Sequence, residues 1–258
     1  MSFFNKMLAS VGIGNAQVDT RLEKSSYEPG EWVRGAVHIK GGSVQQSVDK
    51  IYIKVMTEYI REHDDRKHHE NCEIARFHVS DRMTVLPNET REIPFQFALP
   101  LNTPLTLSGV PVWFHTGLDI ESAVDPTDRD RINVTPDAAA NVVLQAVEGL
   151  GFRFKASTCE YHPRLGQGVP FVQELEFWPG GGYAGRIQEL ELIFHRRSDG
   201  ISVLVEVDRR GRGLSGWLER SMDMDERQGW LHFGIHDLQQ GPQHIAGQLH
   251  GIIDYFSR

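Results

Sequence analysis

Apolar residues in this chain recur mostly at every second position, in short runs closed by turn residues. The run from Tyr27 to Lys40 shows this most clearly. Pro29 and Gly30 suit a type II turn, because proline pre-sets φ and glycine accepts a positive φ. Val33, Gly35, Val37 and Ile39 then share one face, with Trp32, Arg34, Ala36, His38 and Lys40 on the other. That is the alternation of a half-buried strand. Runs of the same kind start at Val18, Ile51, Ala75, Ile93 and Val112. Short strands at close intervals, with almost no helix between them, predict an antiparallel β-sandwich.

The period then changes. Asp125-Pro-Thr-Asp-Arg-Asp-Arg131 is dense in mixed charge around a proline and predicts an inter-domain linker. Ala139, Val142, Val143, Ala146, Val147 and Leu150 follow at helical spacing, which predicts a core-facing helix over 136–149. Thr135 is its expected N-cap, Pro136 its first residue and Asp137 a favourable charge at its positive end. Alternating runs resume around Phe171, Leu190, Ile201 and Trp230. A second helix over 242–256 carries Ile245, Leu249, Ile252, Ile253 and Phe256. The expected organisation is a mainly β chain of two domains. Residues 1–130 form a β-sandwich lobe led by a short helix, and residues 131–258 a second β-rich lobe.

The leading helix rests on Phe3, Phe4, Met7, Leu8 and Val11, with Gly12 and Gly14 ending it. Lys6 is its only cation, which argues for docking on protein over a membrane-surface anchor.

Composition narrows the functional classes. A chain of 258 residues with 40% hydrophobic residues can bury a sizeable core. A net charge of −8 argues against nucleic acid, which wants a basic face. Two cysteines, Cys72 and Cys159, do not make a disulfide framework and point to a reducing, cytoplasmic setting. No run approaches the roughly 20 apolar residues of a membrane helix.

Candidate chemistry is sparse. His63-Asp-Asp-Arg-Lys-His-His-Glu-Asn-Cys72 is the richest metal-like segment, and His63, His68 and His69 are its candidate ligands. It meets no spacing template and lies where a polar loop between strands is expected, so no metal is assigned. Gly211-Arg-Gly-Leu-Ser-Gly216 has dinucleotide-loop spacing but lacks the surrounding βαβ unit. No nucleophile elbow occurs, and Cys159 near His162 is a sequence neighbour only. His115 beside Trp113 is expected on an outward strand face. No catalytic group and no cofactor site are expected.

Several segments carry a family resemblance. Tyr27-x-Pro-Gly-x-x-Val-x-Gly-x-Val, the Ile51–Tyr59 strand and Ile93-Pro-Phe-x-Phe-x-Leu-Pro100, in that order, resemble an arrestin-type N-terminal lobe. The opening residues 1–14, Val18–Glu23, Asp125–Asp130 and Glu206–Gly216 are similar to the sporulation-control family of bacilli, itself arrestin-like. The resemblance implies two β-sandwich lobes and a non-enzymatic regulator or scaffold working through protein contacts. It also implies a cluster of opposite charges between the lobes. Its candidates are Asp125, Asp128, Arg129, Asp130 and Arg131, with Arg209, Arg210 and Arg212 from the second lobe. Protein partners and homodimerisation through exposed strand edges are the expected contacts. The rival reading is a metal-binding or enzymatic jelly-roll-like sandwich that uses the histidine segment.

Overall fold

The computed structural model describes residues 16–64, 66–120, 125–208 and 229–257. The expected N-terminal helix, the Gly211–Gly216 bend and Arg209, Arg210 and Arg212 lie outside the described residues. The chain forms two compact units. One takes in the described residues up to Glu58 with Asn71–Thr106 and Pro111–Thr135, and the other Tyr59–Glu70, Leu107–Val110 and the chain from Pro136.

The first unit is a sandwich of two sheets. In one, β3 (Trp32–Lys40) lies antiparallel between β1 (Gln17–Leu22) and β7 (Thr90–Ala98). The other is built on β4 (Gln46–His63). It pairs antiparallel with β6 (Met83–Val85) and β8 (Val112–Ile120), and also pairs with β5 (Arg66–Ser80). Next to β8 comes β9 (Thr127–Val134), and β2 (Ser26–Tyr27) runs parallel to β9. The expected type II turn is present: Gly30 has φ +86°, and the Glu31 N–H donates to the Glu28 carbonyl at 3.0 Å. Val33, Val37 and Ile39 are buried, as their alternation predicts, while Trp32 is 53% exposed. Between the sheets, the rings of Phe97 and Phe114 meet edge-on with centroids 5.5 Å apart.

The second unit is a sheet with helices on one face. The strands β10 (Arg153–Tyr161), β11 (Phe171–Trp178), β12 (Glu189–Arg197), β13 (Gly200–Asp208) and β14 (Trp230–Gly234) are antiparallel neighbours in that order. At the other edge, Ile60 of β4 pairs in parallel with Glu160, and Tyr59 stacks on Phe171 with centroids 5.8 Å apart. The helices α1 (Ala138–Gly149) and α3 (Pro242–Phe256), with the short α2 (Ile235–Gln239) before α3, supply the second layer. Val143, Val147, Leu249 and Ile253 pack with Leu175, Leu190, Val203 and Phe233 of the sheet.

Three local expectations change. Asp137, not Thr135, caps α1, since its side chain accepts from the Ala140 N–H, and the Thr135 N–H donates instead to the Tyr27 carbonyl. The segment 63–72 is not a loop. Strand β4 runs through His63, and the chain turns at Asp64 and continues as a strand from Arg66, which buries Cys72. Asp125–Arg131 is not a linker either, because most of it is β9, paired with β8 inside the first unit, and the second unit resumes at Pro136. Alternating charge hid an alternating strand.

Candidate functional site

Strand geometry sorts the charged segment of β9 by sign. Successive side chains of a strand point to opposite faces. Asp128 and Asp130 are half-buried on one face, and Arg129 and Arg131 are exposed on the other. They therefore cannot neutralise one another as neighbours.

The two aspartates turn towards β1. The Thr20 N–H donates to Asp128 Oδ2 at 2.7 Å, and the Arg129 N–H donates to its other oxygen at 2.8 Å. The Thr20 hydroxyl donates to Thr116 Oγ1 at 2.7 Å, closing a small buried polar cluster. Asp130 Oδ2 is buried with no hydrogen-bond partner. Burial first, and then the adjacent Asp128, push the Asp130 carboxyl from 3.8 up to about 6. Asp128 fastens an edge strand, and Asp130 favours its protonated form more than a free aspartate does. Asp125, the remaining acid of the segment, accepts from the Ile120 N–H at 2.9 Å.

On the opposite face, the Arg129 guanidinium lies 4.0 Å from the centre of the Trp113 ring. Trp113 is buried and His115 half-buried, so neither is the freely outward residue its neighbours suggested. Burial, and then Lys54 and Arg129, push the His115 imidazole below its ordinary value.

The second unit holds a larger charge cluster that the sequence reading passed over. Glu174 and Glu176 on β11, Glu189 and Glu191 on β12, and Glu206 and Asp208 on β13 occupy the sheet face away from the helices. Glu176 lies directly opposite Glu191, Glu191 opposite Glu206, and Glu189 opposite Asp208. Like charges at such positions are destabilising. Lys155 answers part of this, with its ammonium 2.8 Å from Glu176 and 2.7 Å from Glu189. Glu191 is only 5% exposed, and its Oε2 has no hydrogen-bond partner. Burial, then Glu189 and Glu176, push its carboxyl up to about 7, and burial with Glu191 raises Glu174 well above the ordinary range. The missed signal was the repeated acid-apolar-acid triplet Glu174-Leu-Glu176, Glu189-Leu-Glu191 and Glu206-Val-Asp208.

The other candidates stay apart. His63, His68 and His69 are exposed, with His63 3.5 Å from Asp64, and no three His, Cys, Asp or Glu among the described residues are placed to hold a metal. Cys159 is buried on β10, while His162 Nδ1 accepts from the Leu165 N–H at 3.2 Å. Ser202, His232 and Asp199 stand in triad order, with Ser202 Oγ 3.1 Å from His232 Nδ1. Asp199 is 3.8 Å from Nε2 and 70% exposed, too far and too solvated to orient the ring.

Among the described residues, no helix is long and apolar enough to cross a membrane. The Spo0M family model, described as SpoOM protein, matches residues 4–211. The sporulation-control protein spo0M of Bacillus subtilis (strain 168) is 42% identical over 258 residues, the whole of both chains. The crystal structure of Spo0M from Bacillus subtilis superposes with a TM-score of 0.89 at 41% identity, covering 95% of this chain and all of that one. Two lobes rich in antiparallel strands, matched from end to end in sequence and in fold, place this chain in the Spo0M family of sporulation-control proteins.

Proposed function

We propose that this chain is a cytoplasmic, non-enzymatic regulator that works through protein contacts and uses buried charge as its switch. The carboxylate ladder of β11, β12 and β13 carries the reading. Among the described residues Lys155 meets Glu176 and Glu189, and carboxylates as buried as Glu174 and Glu191 hold their charge at a cost unless protons or further cations meet them. Arg209, Arg210 and Arg212 follow Asp208 directly in the chain and are the nearest cations in sequence. With Asp125, Asp128, Arg129, Asp130 and Arg131 of the first lobe they make up the candidate inter-domain polar cluster. Of the first-lobe groups, Asp128 is already committed to β1 and Asp130 is half-buried beside it, which leaves the exposed Arg129 and Arg131 for contacts outside their own sheet. A partner that competes for the second-lobe carboxylates would release the arginines.

Affinity capture from the native host tests this, with the full chain compared against a variant carrying Arg209→Ala, Arg210→Ala and Arg212→Ala. The set of captured proteins should change, and the melting temperature of the variant should fall. An unchanged set with unchanged melting removes the switch. Capture of nothing by the wild type removes the contact-based reading itself.

A further inference from the structure

The first unit carries a basic, aromatic face within an acidic molecule. Strand register brings Lys54 of β4 opposite His115 of β8, and His115 opposite Arg129 of β9. Trp113 is likewise opposite Arg131. Around the ring of Tyr52 lie the Lys54 ammonium and the Arg76 guanidinium, each 5.2 Å from its centre. Glu73 is the acid at the centre of this face, held by Lys54 at 3.1 Å and Arg76 at 2.9 Å. Lys50 and Asp119 face each other at one end and offset one another. Glu58 lies further along the same face of β4, so Glu73 and Glu58 balance Lys54 and Arg76, and the surplus positive charge sits on Arg129 and Arg131, both exposed, beside an aromatic ring.

We infer that this face, centred on Arg129 and Arg131 with Lys54 and Arg76 beside them, docks an acidic polypeptide segment of a partner protein. This rests on the contact-based reading above and names the chemistry of one partner. Charge complementarity selects an anion. The whole-molecule charge of −8 selects a short one, because an extended polyanion such as a nucleic acid or an anionic membrane also meets the repulsive remainder of the surface. A short segment stays within about one Debye length, roughly 10 Å, of the cations that attract it. The half-buried ring of Tyr52 adds apolar surface, which suits a peptide whose acidic residues alternate with apolar ones.

The probe is a short fluorescently labelled peptide of alternating glutamate and leucine, read by anisotropy against the full chain. Binding should weaken as salt rises from about 0.05 M to about 0.3 M. Arg129→Glu with Arg131→Glu should weaken it by about tenfold or more. Arg129→Gln with Arg131→Gln should give a smaller loss in the same direction, which covers the case that charge reversal disturbs folding. Arg34→Glu, an exposed cation on the outward face of β3, should leave binding within about twofold. No binding at low salt, no loss in either arginine pair, or an equal loss in Arg34→Glu overturns the inference. So does binding to anionic phospholipid vesicles through Arg129 and Arg131 with none to the peptide. None of these outcomes touches the capture experiment, so the contact-based reading stands or falls separately.

Discussion

Asp130 shows how one side chain can make a lobe sensitive to protons. Its neighbour Asp128 accepts from two backbone N–H donors, and the arginines on either side in sequence point to the other face. Burial first, and then the Asp128 carboxyl, push Asp130 up to about 6, where an unfolded aspartate would lose its proton near 3.8. Folding thus favours the protonated form. The stability this group allows is fully present below about 3.8 and is lost as pH rises through about 6. The displacement sets a ceiling of about 3 kcal/mol, which solvent screening of a half-exposed carboxyl reduces to about 1 kcal/mol. Asp130→Asn should therefore raise the melting temperature at pH 8 by about 2–4 °C and leave it nearly unchanged at pH 4. Equal shifts at both pH values, or a loss at pH 8, would show that the carboxyl is not the titrating group.

At the scale of elements, alternation decided both what was legible and what was not. Val33, Val37 and Ile39 read directly as the buried face of a strand, and the helices at 136–149 and 242–256 read as 3.6-residue stripes. The same rule applied to polar residues would have found the rest. Asp128-Arg-Asp-Arg131 alternates by sign instead of by polarity, so it looked like a linker although it pairs residue by residue with β8. The second-lobe ladder was invisible for a related reason. Leu175, Leu190 and Val207 mark the strands, and the acids between them sit at the alternate positions that ordinary outward-facing strand residues also occupy. Expected strand edges also turned out to be guarded. Pro94 interrupts the donors of β7, and Asp128 occupies the Thr20 N–H of β1, which makes strand addition at this sheet a weak route to dimers. Turn chemistry gives a firm prediction. Gly200 opens β13 at φ +151°, and a Cβ there would stand 2.0 Å from the Phe233 carbonyl on β14. Gly200→Ala should cost about 2–3 kcal/mol, measured by urea unfolding of the full chain. A cost under about 0.5 kcal/mol would mean that β14 is free to move away.

Across the whole molecule, acids with raised pKa values set the upper pH limit of stability and buried histidines the lower one. Asp130 in the first unit, with Glu160, Glu174, Glu189 and Glu191 in the second, are all pushed up, chiefly by burial. Each favours the folded state while protonated, so stability falls as pH rises through their folded values, with Glu191 acting near 7. His115, His162 and His195 are pushed down from 6.5, again chiefly by burial. The unfolded chain takes up those protons first, so stability also falls as pH drops below about 6.5. Below about pH 6.5 the two trends oppose one another, and above it the histidine contribution is complete while Glu191, near 7, still loses stabilisation as pH rises. Calorimetry from pH 6.5 to 9 should find the melting temperature falling as pH rises. Glu191→Gln removes the acid whose carboxyl burial pushes up to about 7 and should flatten this fall. Because Glu191 and Asp130 belong to separate units and share no partner, the effect of Asp130→Asn should add to it. A wild-type melting temperature that climbs from pH 6.5 to 8 would overturn this, since it would mean that Glu191 holds no proton in the folded chain.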